Sequence, residues 1–379
     1  MSETRQITKL GMPKWGLSMT EGTVVEWLVE EGTELDSGDE VVEVESEKIN
    51  NAVESPAPGT LRRQVAKEGE VVPVGGLLGV IADASVPDEE IDAYVEEFQS
   101  TFVPEEAEEG GPQPETVEVG GRRIQYLGMG DAEGGAEDVP LVLIPGFGGD
   151  INIFVFNQET LAATRPVYAL DLPGHGGSSK DVGEGDLAFF VQVLADFLDE
   201  MEMGKAHLAG HSMGGAVAGA FALAHPERVA SVILIASAGL GEEINNDYIE
   251  GFIAANRRKE MKNVLGLLFA DPDLVTRQLV QDVLQYKRKD GVDEALRTVA
   301  DKVFPDGRQA GVQDLSETEV PILAIWGRED EIVPASHTGN LPPHARVEIL
   351  EGKGHSVQME AAGKVNRLIE DFLQNPDSS

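Results

Sequence analysis

The stretch Leu208-Ala209-Gly210-His211-Ser212-Met213-Gly214-Gly215 decides how most of this chain folds. An apolar run, 207–209, leads into Gly-x-Ser-x-Gly, and residues 216–224 follow, rich in helix formers. That composition predicts strand, sharp turn and helix in succession. A serine at such a turn is held in a strained conformation that only small neighbours permit, and its oxygen stands clear of the sheet as a nucleophile. A five-residue glycine–serine pattern also arises by chance in long chains. The strand before it, the helix after it and the partners placed later in the chain favour the functional reading.

Outward from that turn, residues from Thr116 onward alternate strand and helix, the signature of a mostly parallel sheet covered on both faces. Segments 116–119 and 123–127, joined by Gly120-Gly121, read as an antiparallel opening hairpin. Segment 139–144 is a continuous apolar run and therefore a buried central strand. Further strands are expected at 167–170, 206–209, 229–235, 322–326 and 347–350, with helices at 186–201 and 361–373. From about 240 to 319 the strand signal stops, and 249–269, 274–286 and 292–303 read as helices. An insertion of this size would lie over the strand ends as a cap that sets substrate access. The order of elements and the Gly-His-Ser-Met-Gly turn resemble the α/β-hydrolase fold over residues 116–375.

That resemblance implies the chain order Ser, then Asp or Glu, then His, around Ser212 as nucleophile. The loop Trp326-Gly327-Arg328-Glu329-Asp330-Glu331 follows a strand and offers three neighbouring acids, of which Asp330 matches the family's acid. His355, in Gly352-Lys353-Gly354-His355-Ser356 after the last strand, stands where the family has its base. The other six histidines have blander readings: His211 adjoins the serine but points away from it, and His175 belongs to a loop that looks structural. The oxyanion site is expected from the backbone N–H groups of Met213 and of Phe147, in Pro145-Gly146-Phe147-Gly148-Gly149. Many relatives have His-Gly where this chain has Pro145-Gly146. No histidine pair at ligand spacing suggests a metal, and there is no P-loop.

The first eighty residues carry an internal repeat: Gly22, Gly32 and Gly38 recur 37 residues later as Gly59, Gly69 and Gly75. Short valine-rich runs bounded by glycines and acidic turns make this a small all-β unit of two-fold character. Lys48 falls midway between the halves, at the expected tip of a hairpin; by position alone it is a solvated charge like most surface lysines. Residues 6–82 resemble the lipoyl domain of 2-oxo acid dehydrogenase acyltransferases, in Glu45-Ser46-Glu47-Lys48-Ile49 and Ser55-Pro56-Ala57-Pro58-Gly59. Biotin-carrier domains share the fold but flank their lysine with methionines, so Glu47 and Ile49 favour lipoate on Lys48. Residues 83–115 turn acidic and Pro/Gly-rich, an extended linker. Within it Ile91, Tyr94, Val95, Phe98 and Phe102 fall at helical spacing, a short amphipathic helix that needs a surface, on its own chain or on a partner subunit.

The formal net charge of −39 repels nucleic acid and anionic membranes, so neither is an expected partner. Solubility or a high-salt habitat explains such a surface, and steering of a basic subunit is the sharper alternative. With no cysteine, disulfides and thiolate metal sites are excluded. No signal sequence or membrane-spanning run is evident, which points to the cytoplasm.

The expected fold class is multidomain: a small all-β lipoyl-type flattened barrel, then an α/β-hydrolase fold with a helical cap. Together the two halves resemble the acetyltransferase (E2) components of bacterial acetoin-cleaving systems. The His-x-x-x-Asp-Gly motif of the usual E2 core is absent. The resemblance implies acetyl transfer from the dithiol on Lys48 to coenzyme A through Ser212, His355 and Asp330. It also implies a thiamine-diphosphate-dependent E1 component and dihydrolipoamide dehydrogenase (E3) as partners, and it is compatible with a homo-oligomer. The alternatives are an ester or thioester hydrolase that carries a lipoyl domain for assembly, and a lipoyl carrier with a non-catalytic scaffold.

Overall fold

The computed structural model describes residues 7–15, 19–46, 50–103, 112–130 and 139–375, in two compact units that divide between residues 111 and 112. In the first unit the strands are β1 (Ile7–Gly11), β2 (Glu21–Trp27), β3 (Glu34–Leu35), β4 (Glu40–Glu45), β5 (Asn50–Glu54), β6 (Gly59–Gln64), β7 (Val71–Pro73) and β8 (Leu77–Ala82). They form two four-stranded sheets, ordered β1-β8-β6-β3 and β5-β4-β2-β7. The 37-residue repeat is the relation between these sheets, since β2, β3 and β4 shifted by that interval fall on β6, β7 and β8. The hydrogen bonds repeat in the same way. Gly32 N–H donates to Leu61 O at 2.7 Å and Gly69 N–H to Val24 O at 2.8 Å. Leu28 N–H donates to Val41 O at 3.0 Å, and its counterpart Val65 N–H donates to Leu78 O at 2.8 Å. Val24 of β2 and Val42 and Val44 of β4 are wholly buried between the sheets, together with Leu61 and Leu78. Strands β4 and β5 pair as far as Glu45 opposite Asn50. Lys48, in the connection between them, lies outside the described residues.

Helix α1 (Asp88–Thr101) is the amphipathic helix expected from the sequence, and it packs on its own unit. Ile91 is wholly buried against Leu77, Val80, Ala82 and Val86, with Tyr94, Val95 and Phe98 beside it. Burying such a side chain stabilises by roughly 1.5–3 kcal/mol. Arg62 reaches Asp88 at 2.7 Å and Arg63 reaches Asp92 at 2.9 Å, but both carboxylates are more than half exposed. Water and salt screen such pairs until they add little, so the apolar face holds the helix. The helix runs back over the sheet: it starts beyond Ala82, and its end brings Phe102 within 3.6 Å of where a Gly75 side chain would begin. Nearby Pro73 pairs with Glu21, two residues beyond the Thr23–Glu45 pair.

In the second unit the described residues form one eight-stranded sheet, from β9 (Glu115–Val119), β10 (Arg122–Met129), β11 (Leu141–Ile144), β12 (Val167–Leu170), β13 (Ala206–His211), β14 (Val229–Ile235), β15 (Ile322–Gly327) and β16 (Arg346–Leu350). The order is β16-β15-β14-β13-β11-β12-β10-β9, parallel from β11 onward with β9 and β10 antiparallel. The continuous apolar runs became the buried strands: every residue of β11, β13 and β15 is buried, whereas the edge strand β16 is partly exposed. Helices α2 (Gln158–Leu161), α3 (Leu187–Glu200), α4 (Met213–Ala224), α9 (Val357–Glu360) and α10 (Ala362–Gln374) belong to this layered body. Between β14 and β15 lie α5 (Asn246–Ala254), α6 (Arg258–Gly266), α7 (Arg277–Lys287) and α8 (Val292–Val303).

One expected helix, 249–269, is in fact two, α5 and α6, because Ala255 takes an extended conformation. The cause lies elsewhere in the chain. Lys287, buried at the end of α7, donates through Nζ to the carbonyls of Phe252, Ile253 and Ala255 at 2.7–2.8 Å. Its ammonium satisfies the acceptors at the C-terminus of α5, where a cation is favoured.

Replacing Ile91 with alanine should remove the anchor of α1 and cost about 2–5 kcal/mol in the first unit. Urea unfolding of the whole chain would show it as a lower midpoint for that unit's transition, with the second unit's transition unmoved.

Candidate functional site

The parallel strands bring their C-terminal ends to one edge of the second unit, and the expected site residues lie there. Ser212 follows β13 with φ 54° and ψ −119°, a conformation that costs a non-glycine residue on the order of 1–3 kcal/mol. The glycines that follow it are required by close contacts, with backbone at Gly214 and with a side chain at Gly215. A side chain on Gly214 would strike the carbonyls of Ile144 and Pro145, and one on Gly215 would strike Ser237 Oγ. The start of α4 therefore presses directly on the end of β11. The Ser212 backbone is fastened on both sides: its N–H donates to Ile235 O at 3.0 Å and its carbonyl accepts from Ala238 N–H at 2.9 Å.

The loop after β11 lies against the serine. A Cβ on Gly146 would sit 2.9 Å from Ser212 Cβ. Met213 N–H, at the first position of α4, and Phe147 N–H donate to no described residue. Both are open donors of the kind that a helix start and a glycine-rich turn provide. From the cap, Tyr248 Oη donates to Phe147 O at 3.4 Å, and the Phe252 ring stands 6.1 Å from that of Phe147. Burial raises the Tyr248 phenol well above its ordinary range, so it remains a donor.

Asp330 and His355 come together from the loops after β15 and β16. His355 Nδ1 lies 2.8 Å from Asp330 Oδ2, and both side chains are essentially inaccessible to solvent. Asp330 Oδ1 accepts from the N–H groups of Ile332 and Val333 at 2.8 and 2.9 Å, which fixes the carboxylate. The neighbouring acids are turned elsewhere: Glu329 accepts from Lys353 N–H at 3.1 Å, and Glu331 is exposed. Of the three acids only Asp330 meets the histidine.

His211 has a part that its position next to the serine did not reveal. Its side chain is buried, its ring centroid is 4.7 Å from that of His355, and Nε2 lies 3.1 Å from His355 O. Burial, with His355 beside it, holds its pKa well below the usual value, so the ring is neutral and Nε2–H donates to that carbonyl. The contact joins residues 144 apart, and nothing in local sequence signals it. His175 is buried with Nδ1 3.0 Å from Pro173 O and its ring 6.2 Å from Phe147; burial lowers its pKa to about 4. It is a packing element, as its loop suggested. Among the described residues no cluster of His, Cys, Asp and Glu could hold a metal ion.

The α/β hydrolase fold family model matches residues 139–362, and the biotin-requiring enzyme model matches residues 8–81. The dihydrolipoyllysine-residue acetyltransferase component of the acetoin cleaving system of Pseudomonas putida is 51% identical over 97% of this chain and 99% of its own length. The chain belongs to this family. The corresponding component from Cupriavidus necator is 45% identical over 97% of both chains. Among solved structures, a meta-cleavage product hydrolase from Pseudomonas fluorescens superposes with a TM-score of 0.61 at 25% identity, covering 69% of this chain and 97% of that one. The acetyltransferase family thus joins a lipoyl-type unit to a hydrolase-type body, and the sequence resemblance to it holds along nearly the whole chain.

Asp330→Asn should leave the fold intact while offering His355 Nδ1 either the wrong atom or the wrong tautomer. Turnover of p-nitrophenyl acetate is expected to fall by about 10⁴-fold, measured against an unchanged unfolding midpoint.

Proposed function

We propose that this chain moves an acyl group from a lipoyl thioester to coenzyme A, with Ser212 as nucleophile, His355 as base and Asp330 as the orienting acid. The observation that carries the reading is the 51% identity to an acetoin-system acetyltransferase across both units at once. The chain is an acyltransferase of a multi-enzyme acetoin-cleaving system, and lipoate is its covalent cofactor. Lys48 is the attachment residue in this reading. Support comes from the strands on either side of its segment, whose buried valines and Glu45–Asn50 pairing give a rigid rim on which to present a lysine. Bound lipoate supplies a dithiol that carries an acyl group as a thioester.

The side chains divide the work as follows. Ser212 Oγ attacks the thioester carbonyl carbon while its proton passes to His355 Nε2. Asp330 Oδ2 holds the Nδ1–H and stabilises the imidazolium that forms. The N–H groups of Phe147 and Met213 meet the negative charge that develops on the carbonyl oxygen, with no reorganisation because the backbone already fixes them. As the carbon–sulfur bond broke, His355 Nε2 would return the proton to the departing sulfur and leave the acyl group on Ser212. His355 would then take the proton of an incoming thiol whose sulfur attacks the acyl carbon; the carbon–Oγ bond breaks and His355 returns the proton to Ser212 Oγ. A thiamine-diphosphate-dependent E1 component fits as the source of the acyl group and dihydrolipoamide dehydrogenase as the step that reoxidises the dithiol. No helix among the described residues is long and apolar enough to cross a membrane, and a cytoplasmic location suits such a complex.

The likeness of the second unit to a hydrolase favours one further reading, in which water takes the acyl group. Acetyl-dihydrolipoamide supplied with and without coenzyme A separates the two. Acetyl-CoA should form, and Ser212→Ala should reduce it by a thousand-fold or more, on the order of triad losses in other serine enzymes. Acetate release that is indifferent to coenzyme A would instead support hydrolysis. Expression with lipoate should add one lipoyl group to the intact mass, and Lys48→Arg should abolish the gain.

A further inference from the structure

Glu360 lies in α9, five positions beyond His355, and takes no part in the chemistry above. Its side chain is buried, and each carboxylate oxygen has its own partner. Oε1 accepts from Gly354 N–H at 2.8 Å, on the residue that precedes His355. Oε2 accepts from Ala270 N–H at 3.0 Å, in the turn that follows α6 of the cap. The same cap turn is fastened on the other side of the histidine, where Ser356 N–H donates to Leu268 O at 2.8 Å. The fit is close: a Cβ on Gly354 would come within 2.6 Å of Ala270 N. The cap thus grips the His355 loop from both sides, and on one side the grip passes through a single carboxylate.

We propose that Glu360 is a positioning residue, whose carboxylate latches the Leu268–Ala270 turn of the cap to the loop that carries His355, so that cap seating and the placement of the base depend on one group. The inference rests on His355 being the base, as proposed above. The chemistry of the latch follows from donor and acceptor counting. Two backbone N–H groups face two oxygens, and only the ionised carboxylate offers both as acceptors without a hydrogen of its own. A protonated acid or an amide turns one of its atoms into a donor that opposes an N–H group. Burial raises this carboxyl to about 7, and Asp330 on the facing acid loop pushes it the same way. The two N–H groups and Lys353, on the His355 loop, pull it down. His355 stands one residue from Gly354 and is engaged by Asp330, and from the cap Asp271 follows Ala270 with its carboxylate turned to Asp273 N–H. Because the folded value is raised, protonation is favoured by the fold as pH falls, and the latch is complete only as pH rises through neutrality.

The test is the acid limb of kcat/KM for p-nitrophenyl acetate, measured on the full chain between about pH 5 and pH 9. In the wild-type protein two groups must lose a proton, so the limb should steepen toward a slope of two. Glu360→Gln should show a slope of one and a plateau lower by on the order of ten- to a hundred-fold. Glu360→Asp keeps the charge but not the span; it should keep the steep limb at a reduced rate, which a purely structural role would not produce. Should the Gln variant fail to fold, the wild-type slope and the Asp variant decide. A wild-type slope of one, or a Gln variant with unchanged rate and profile, overturns the latch alone. Turnover that survives Ser212→Ala overturns the nucleophile assignment, and the latch with it.

Discussion

Backbone contact at Gly214 is the constraint on which this edge of the second unit depends. With no side chain there, the first turn of α4 lies on the carbonyls of Ile144 and Pro145, and the chain passes from β13 to α4 through the strained conformation of Ser212. The loop after β11 lies against the serine at Gly146, and the N–H groups of Phe147 and Met213 have no partner among the described residues. The strain is sustained by the sheet around it, because Ile235 and Ala238 hold the serine's N–H and carbonyl. A local rule about small residues thereby sets the geometry of a whole edge of the sheet.

What could be read from sequence is what short-range physics specifies. The apolar runs of β11, β13 and β15 announced buried parallel strands, and the spacing of Ile91, Tyr94, Val95 and Phe98 announced α1. Glycine recurrence at a fixed interval announced the two-fold unit, and the crossed hydrogen bonds of Gly32 and Gly69 are its physical form. What could not be read depends on contacts between distant segments. The break between α5 and α6 is made by Lys287, more than thirty residues further on. Asp330 was preferred over Glu329 and Glu331 on family resemblance, since three adjacent acids look alike until the loop is folded and one of them meets His355. His211 looked idle beside the serine because strand periodicity turns it away, yet that turn is what carries its ring to the carbonyl of His355.

The cap is tied into the site by polar and apolar contacts of several kinds. Tyr248 holds the carbonyl of the Phe147 peptide, Leu268 and Ala270 hold the His355 loop, and Phe252 packs over Gly148 and Phe147. Each links a cap segment to a loop that bears a site residue. Movement of the cap is therefore not separable from the arrangement of the Phe147 and His355 loops. Access to the strand ends and the arrangement of the loops there are thereby coupled.

Helix α1 has a mechanical consequence for the first unit. A tether that began at Ala82 would leave that unit at the end remote from the β4–β5 connection. Instead α1, about 21 Å long at its 14 residues, carries the chain back across the sheet to Gly75, level with the rim formed by Glu21, Pro73, Glu45 and Asn50. The end of α1 and the β4–β5 rim then share one end of the first unit, so its folded body adds little to the distance between them.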